Sequence, residues 1–525
     1  MAEPGEFLPF PDAFINSFIW EGNSQSITTE DVRVKQQVLY LRKYLLDLDC
    51  KTMLVEQEYV DHDFLDDYAS YYAKCFAPYG KLCQRLHFFR DDLCDLQLDR
   101  AIIDNNEDQI ERLRKSYLGF VVVKPLPDAI VGRTVVSTYP PDENRRFFPV
   151  TRDYPVNLFG LELQLKTLAS QEQDTVLAAC ATTALWSAFH KSSDLFGVVA
   201  PTPSEITRSA THYIQNTRPI PTHGLNVEQM CWAISENGLV PEVYEIGPDL
   251  PLNSVICSYV KAGIPVILGY QIAGNGGRHA VTISGYRSEQ SRIYDTELMT
   301  PEYDLRLNGQ HISEFYAHDD NLGPFSRLKC LEDRGGASKG KISNLRLFQR
   351  DIDLGRFTVS DICIPEILIV PIYHKIRLRF VDVLTPIKEL DSYLKFLGIR
   401  SVQSGAPVRF EWDIHVISLR DLKNFIRDSD RIEAQSKKRF LFASLPRYCW
   451  IGTASLDQTA LFSVVIDATG IARSFFLGQM IFHQPEVKRD LRTIITKGDP
   501  DLVRASEANL SSRFTDFVRK EILTE

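Results

Sequence analysis

The hydrophobic pattern between 171 and 317 changes period once, and that change constrains the chain more than any other feature. Polar QEQDT at 171–175 leads into a stripe at helical spacing, Leu177, Ala181, Ala184, Leu185 and Ala188, which begins at or just before Cys180. Thr202-Pro203-Ser204-Glu205 combines a capping box with proline at the first helical position, and Asn226 to Gln229 opens a helix that ends near Gly238. After a further short helix at 252–262, Gly263 and Pro265 mark a switch to strands: 266–272, then a Gly-rich loop at 274–278, then 279–287, then 312–317. Helices first and antiparallel strands later specify an α+β domain.

The whole chain has 525 residues, more than one core can serve, so three units are expected. Residues 1–155 read as mixed α/β. Val34, Val38, Leu41 and Leu45 form one helical stripe behind a Thr28/Asp31 capping box, and 118–136 reads as two β-runs around a Pro-Leu-Pro turn. The acidic stretch 56–68 offers carboxylates and His62 as metal ligands, but a helix start with Asp63 as N-cap explains it better. The α+β unit is assigned to 156–330, led by a strand at 157–168. Between Arg327 and Arg350 seven Lys or Arg face two acidic residues around GGASKGK, which predicts a flexible connector, open to an anionic partner, and a boundary. Residues 345–525 read as α/β, with strands near 367–372, 409–417, 440–444 and 461–467 and helices near 386–397 and 422–437.

Composition removes several function classes. Lys and Arg number 59 against 69 Asp and Glu, so no nucleic-acid footprint is evident. No apolar run approaches a membrane span, and the N-terminus MAEPGEF is acidic where a signal peptide is basic. The ten cysteines include no CxxC pair, so a reducing cytoplasm is expected, with each thiol either a core residue or reactive. No metal and no cofactor is called for, and the oligomeric state is left open.

Three features of the middle unit belong together as a thiol site. A cysteine that opens a helix has its thiolate stabilised by the dipole and the unpaired N–H groups, which suits Cys180 to be a nucleophile. His279 heads a strand after a Gly-rich loop, placed to project toward a helix packed on the sheet and act as general base. In FYAHDDNLGPF a strand runs out into Asp319, Asp320 and Asn321; a carboxylate there can fix the imidazole tautomer. Gln173, seven residues before Cys180, can join the Cys180 N–H as an oxyanion donor.

The segments QDTVLAACATTALW (173–186), HAVTISGY (279–286) and YAHDDNLGP (316–324) resemble bacterial papain-like cysteine peptidases, most closely the bacteriocin leader-processing group. The resemblance covers 161–328. It implies a papain-like fold and a peptidase acting on a protein or peptide substrate, with Cys180 as nucleophile, His279 as base, Asp319 as orienting acid and Gln173 as oxyanion donor. Ala181 stands where that family usually has Gly, and 288–310 lengthens the His-to-Asp interval, which is read as an insertion forming a lid or partner-binding hairpin beside the site. Asp320 and Asn321 are rival orienting residues. Period-two alternation groups Phe315, Ala317 and Asp319 on one face and favours Asp319. Gln171 similarly rivals Gln173.

The alternative is a non-catalytic interaction protein that keeps the fold and presents a groove. Three further motifs read as structural: GNGG at 274–277 leads into a strand and lacks the Lys-Ser/Thr of a phosphate loop, Val131-Gly-Arg-Thr134 is a turn between strands, and Asp467-Ala-Thr469 is a strand-end turn.

Overall fold

The computed structural model describes residues 6–20, 22–23, 27–174, 179–212, 224–273, 276–291, 298–300, 303–331, 347–353, 358–397, 408–470, 476–498 and 512–523. The chain is a mixed α+β protein. Its N-terminal unit is an antiparallel five-stranded sheet of β1 (Phe7–Pro9), β2 (Thr52–Tyr59), β3 (Cys83–Phe89), β4 (Tyr117–Val123) and β5 (Val131–Val136), paired in chain order. The expected stripe around Val38 is two helices, α1 (Thr29–Val34) and α2 (Gln36–Asp47). Lys35 parts them with an extended backbone, so Val34 falls outside the core at 75% exposure. The Thr28/Asp31 capping box is present. Helix α3 (His62–Ser70) is capped by Asp61, whose carboxylate accepts from Phe64 N at 3.1 Å; the expected cap, Asp63, is already inside the helix. Helices α4 (Asp95–Ile102) and α5 (Glu107–Ser116) complete the unit.

Strand β6 (Arg146–Phe147) leads to a hairpin, β7 (Arg152–Leu158) and β8 (Leu161–Thr167). A single strand was expected over 157–168, but Phe159 and Gly160 adopt φ of +51° and +87° and turn the chain back. The helical layer follows as α6 (Cys180–Phe196), α7 (Pro203–Thr211), α8 (Val227–Glu236), β9 (Val240–Glu245) and α9 (Leu252–Val260). The expected capping box Thr202/Glu205 is formed, and the helix expected to start at Asn226 opens with a capping box of its own, Asn226/Gln229.

Next come β10 (Val266–Ile272), β11 (Arg278–Ser288), two inserted strands β12 (Leu298–Thr300) and β13 (Tyr303–Leu307), β14 (Ile312–Asp319), β15 (Gly323–Cys330), β16 (Phe348–Asp353) and β17 (Thr358–Ile372). Strands β10, β11, β14, β15, β16 and β17 pair antiparallel in that order, and β17 pairs back onto β10, closing a six-stranded barrel. A domain boundary at 330–345 would cut this barrel, because β16 and β17 lie beyond it and hydrogen-bond β15 and β10. Most of the basic stretch that suggested the boundary, 332–346, lies outside the described residues; Arg350 belongs to β16.

The C-terminal unit contains α10 (Phe380–Phe396), β18 (Glu411–Ser418), α11 (Leu419–Asp428), α12 (Ala434–Phe442), β19 (Tyr448–Leu456), β20 (Thr459–Asp467), β21 (Phe476–Phe482), α13 (Pro485–Lys497) and α14 (Ser512–Leu523). The expected helix over 422–437 is two, parted at 429–433, and the strand expected at 440–444 is the end of α12. The inserted β12–β13 hairpin joins this unit, with β13 pairing parallel to β18 through Arg306–Glu411 and Leu307–Trp412. It therefore does not flank the site as a lid. In an antiparallel pair the connection sits at one end, and Ser288 pairs with Ile312 there, whereas His279 and Asp319 lie at the other end, about 30 Å away at ~3.4 Å per residue. Among the described residues no helix is long and apolar enough to cross a membrane.

Candidate functional site

Cys180 is the first residue of α6, half-buried, behind an extended Ala179 that supplies no side-chain cap. The first-turn N–H groups are thus free of a capping oxygen from Ala179, a setting that favours an anion. The rest of α6 is almost wholly buried and packs on β11, where the Thr282 hydroxyl donates to Ala184 O at 2.6 Å. That bond ties the helix to the barrel, and the buried Trp186 ties it to Asp63 of the N-terminal unit, so the position of Cys180 is set by tertiary packing. Leu177, the first residue of the expected stripe, lies outside the described residues.

His279 is the second residue of β11 and is 6% exposed. Its Nε2 is 3.0 Å from Asp319 Oδ1, and the Cys180 thiol is near enough to bear on the charge of the ring. With Nε2 turned to the carboxylate, Nδ1 is the nitrogen left for the thiol. Tyr270, paired with His279 across β10 and β11, meets the ring edge-on at 5.6 Å and closes one side. Burial opposes an imidazolium here. The Asp319 charge and hydrogen bond, the Cys180 thiol and the Asp320 charge outweigh it and hold the imidazole well above its ordinary value.

Asp319 ends β14 and is fully buried. Its Oδ1 also accepts from Asn321 N at 3.0 Å, and its Oδ2 from Arg350 Nη1 at 3.2 Å. Burial raises a carboxyl, but the His279 charge, the His279 hydrogen bond and Arg350 prevail and keep Asp319 below the usual range. Asp320 is the rival carboxylate. Its Oδ1 lies 3.3 Å from His279 Nε2, while its Oδ2 is buried with no hydrogen-bond partner. Burial, reinforced by Asp319 and Glu172 against the His279 charge, raises Asp320. Asn321 Nδ2 sits 3.5 Å from both ring nitrogens. Their hydrogen-bonding directions diverge, so one atom equidistant from both is aligned with neither.

Gln173 Nε2 donates to Asn321 Oδ1 at 3.0 Å, so Gln173, Asn321, Asp319 and His279 form one hydrogen-bonded cluster, with the Cys180 thiol beside the ring. An amide carries two N–H groups, which leaves Gln173 a second donor. Gln171 does not join this cluster, and its Nε2 is buried without a partner. The loop bearing Gln173 is tied to β5: Ser170 and Thr134 exchange backbone bonds of 2.7 and 3.0 Å, and Val131 N donates to Glu172 Oε2 at 2.8 Å.

Two features of the site are absent from the sequence reading. Arg350 was placed in a connector, yet it is the cation on Asp319; the alternating FQRDID of 348–353 carries the strand signal that identifies it. Helix α2 is the other. Tyr40 OH donates to Pro324 O at 2.8 Å, Gln37 Nε2 to Asp320 O at 3.3 Å, and the Tyr40 ring lies against Gly323, where a Cβ would come within 2.6 Å of it. The N-terminal unit thus supports the turn that carries Asp319 to Asn321.

The remaining motifs are engaged in structure. In the acidic stretch, Glu56 accepts from Arg85, Asp61 pairs with Arg133 of the Val131–Thr134 motif, Asp63 accepts from Trp186 Nε1, and Asp66 and Asp67 bind Ser204 at the start of α7. Asp467 accepts from both N and Oγ1 of Thr469 at 2.8 Å, the expected strand-end turn. Among the described residues one group, His279, Asp319 and Asp320, has ligand atoms close enough for a metal. There Arg350 already neutralises Asp319. Residues 274 and 275 of the Gly-rich loop lie outside the described residues. No protein-family model matches the chain, and no curated protein matches it.

Proposed function

We propose that the protein is a papain-like thiol hydrolase, a cysteine peptidase or related acyl-transfer enzyme that attacks a peptide or isopeptide carbonyl. The observation that carries this reading is the arrangement of three side chains: a cysteine opening a buried helix, beside an imidazole whose Nε2 is held by a buried carboxylate. In this reading the Cys180 thiolate attacks the carbonyl carbon, and its oxyanion is met by the Cys180 N–H and the second N–H of Gln173. The His279 imidazolium passes its Nδ1 proton to the leaving amine. It then takes a proton from water, which adds to the thioester and releases the acid and the thiolate. Asp319 holds Nε2–H throughout and so keeps Nδ1 directed at sulfur.

The test is alkylation and turnover of wild type beside Cys180→Ala. Wild type is expected to react with iodoacetamide at Cys180 well below neutral pH, and the alanine variant to lose both that labelling and cleavage of a peptide library while keeping its melting temperature. A Cys180 profile with the ordinary thiol midpoint of about 8.5 would instead support a binding groove without catalysis.

A further inference from the structure

Two carboxylates compete for one nitrogen. Asp319 Oδ1 is 3.0 Å and Asp320 Oδ1 3.3 Å from His279 Nε2, and both side chains are almost fully buried. Nε2 carries a single proton, and two like charges this close in a dry site oppose each other. What distinguishes the pair is the other oxygen of each. Asp319 Oδ2 accepts from Arg350 Nη1 at 3.2 Å, from a side chain itself 7% exposed, whereas Asp320 Oδ2 has no hydrogen-bond partner. Arg350 comes from β16, paired with Leu328 on one side and Asp361 on the other, so it reaches the dyad from outside the β11–β14 hairpin.

We propose that Arg350 is the positioning residue that selects Asp319 over Asp320 as the partner of His279 and so keeps the other ring nitrogen directed at Cys180. This rests on the thiol-hydrolase reading. The groups facing the carboxylate pair are His279 from β11, Arg350 from β16, Tyr270 from β10, Glu172 and Gln173 from the loop before α6, Cys180 from α6, and Gln37 from α2. Among them Arg350 is the fixed cation. Without it the two carboxylates share a proton, and Nε2–H loses a constant anionic acceptor.

The experiment is the rate of Cys180 alkylation by iodoacetamide from pH 5 to 9, with kcat/KM for any peptide that wild type cleaves. Arg350→Gln is expected to slow alkylation at pH 6 about ten-fold while leaving the rate at pH 9 within about two-fold, since there the thiol ionises unaided. Arg350→Lys, which keeps a cation, is expected to recover most of the pH 6 rate. Because Arg350→Gln can weaken the barrel, the near-isosteric carboxamides give an independent check: Asp319→Asn is expected to lose at least about ten-fold at pH 6 and Asp320→Asn less than about three-fold. The inference is overturned if Arg350→Gln keeps the wild-type profile, if Arg350→Lys falls as far as Arg350→Gln, or if the order of the two carboxamides is reversed. A wild-type thiol with an ordinary profile overturns the thiol-hydrolase reading itself, a result distinct from these three.

Discussion

The N-terminal and C-terminal units both dock on the barrel and its helical layer, at opposite ends. The N-terminal unit touches the turn after β14 through Tyr40 and Gln37, holds the Gln173 loop through Val131 and Thr134, and binds Trp186 on α6 through Asp63. The C-terminal unit takes the other ends. Tyr448 of β19 packs edge-on against Phe196, the last residue of α6 and about 24 Å from Cys180 at ~1.5 Å per residue; β18 pairs with the inserted hairpin; Asp413 binds Lys261 after α9; and Glu411 binds His311. One interface positions the cluster and the other anchors the scaffold. Disturbing the first should therefore change chemistry, and disturbing the second should change stability alone.

The largest effect expected is on the remote side. Lys261 Nζ lies 2.6 Å from Asp413 Oδ1, and the lysine charge, overcoming burial, holds Asp413 far below the carboxylate range. Lys261→Met leaves that carboxylate without its cation and is expected to lower stability by about 3 kcal/mol. The sign with pH follows from the depressed carboxyl. Its contribution is complete above the free carboxyl value and fades as pH falls through the folded one, so the loss on mutation should shrink in acid. Urea unfolding at pH 7 and pH 3 measures this. Cys180 alkylation of the folded variant should stay within about two-fold of wild type, and a ten-fold drop would break the comparison.

Much of this arrangement was legible from the chain, and the division follows the range of the interactions. The capping boxes at Thr28 and Thr202 and the helix start at Asn226 are local and were read directly. The helix opening at Cys180 and the alternation that groups Ala317 with Asp319 are also local, and they brought the cluster into view. What failed was non-local or turn-dependent. Barrel closure depends on β17 pairing with β10 across 91 to 102 residues, from Ile272–Cys363 to Ile267–Ile369, so Arg350 looked like a linker cation. Lys35 and Phe159 break continuous hydrophobic patterns by backbone conformation, and periodicity does not register such breaks. The insertion was misplaced for a different reason: its position at the far ends of β11 and β14 was implied by the strand order, which the hairpin rule alone requires.

On the near side, Glu172 couples the Gln173 loop to β5. Burial drives its carboxyl up to about 7, against opposition from Lys35, the Val131 N–H and Lys124. The folded protein thus holds a proton that the unfolded chain releases near the free carboxyl value. That stabilising contribution is complete in acid and is lost as pH rises through about 7. Glu172→Gln removes the titration and keeps an acceptor for Val131 N. The gain in stability over wild type should be larger at pH 8 than at pH 5 by about 2 kcal/mol in urea titrations. An equal difference at both pH values would detach Glu172 from the account of this interface.

The smallest effect isolates the brace itself. Tyr40→Phe keeps the ring against Gly323 and removes the hydroxyl that donates to Pro324 O and also meets Tyr139. One neutral buried hydrogen bond is worth about 1 kcal/mol, so the melting temperature should fall only slightly. The turn from Asp319 to Asn321 would be held by Gln37 alone from α2, and small displacements of a catalytic group are costly to rate. Cys180 alkylation at pH 6 and kcat/KM should therefore fall about three- to ten-fold, out of proportion to the stability lost. The ratio of those two losses separates the units. Lys261→Met is expected to give a large stability loss with little change in reactivity, and Tyr40→Phe the reverse. If Tyr40→Phe lowers stability and leaves reactivity alone, α2 is packing and no brace.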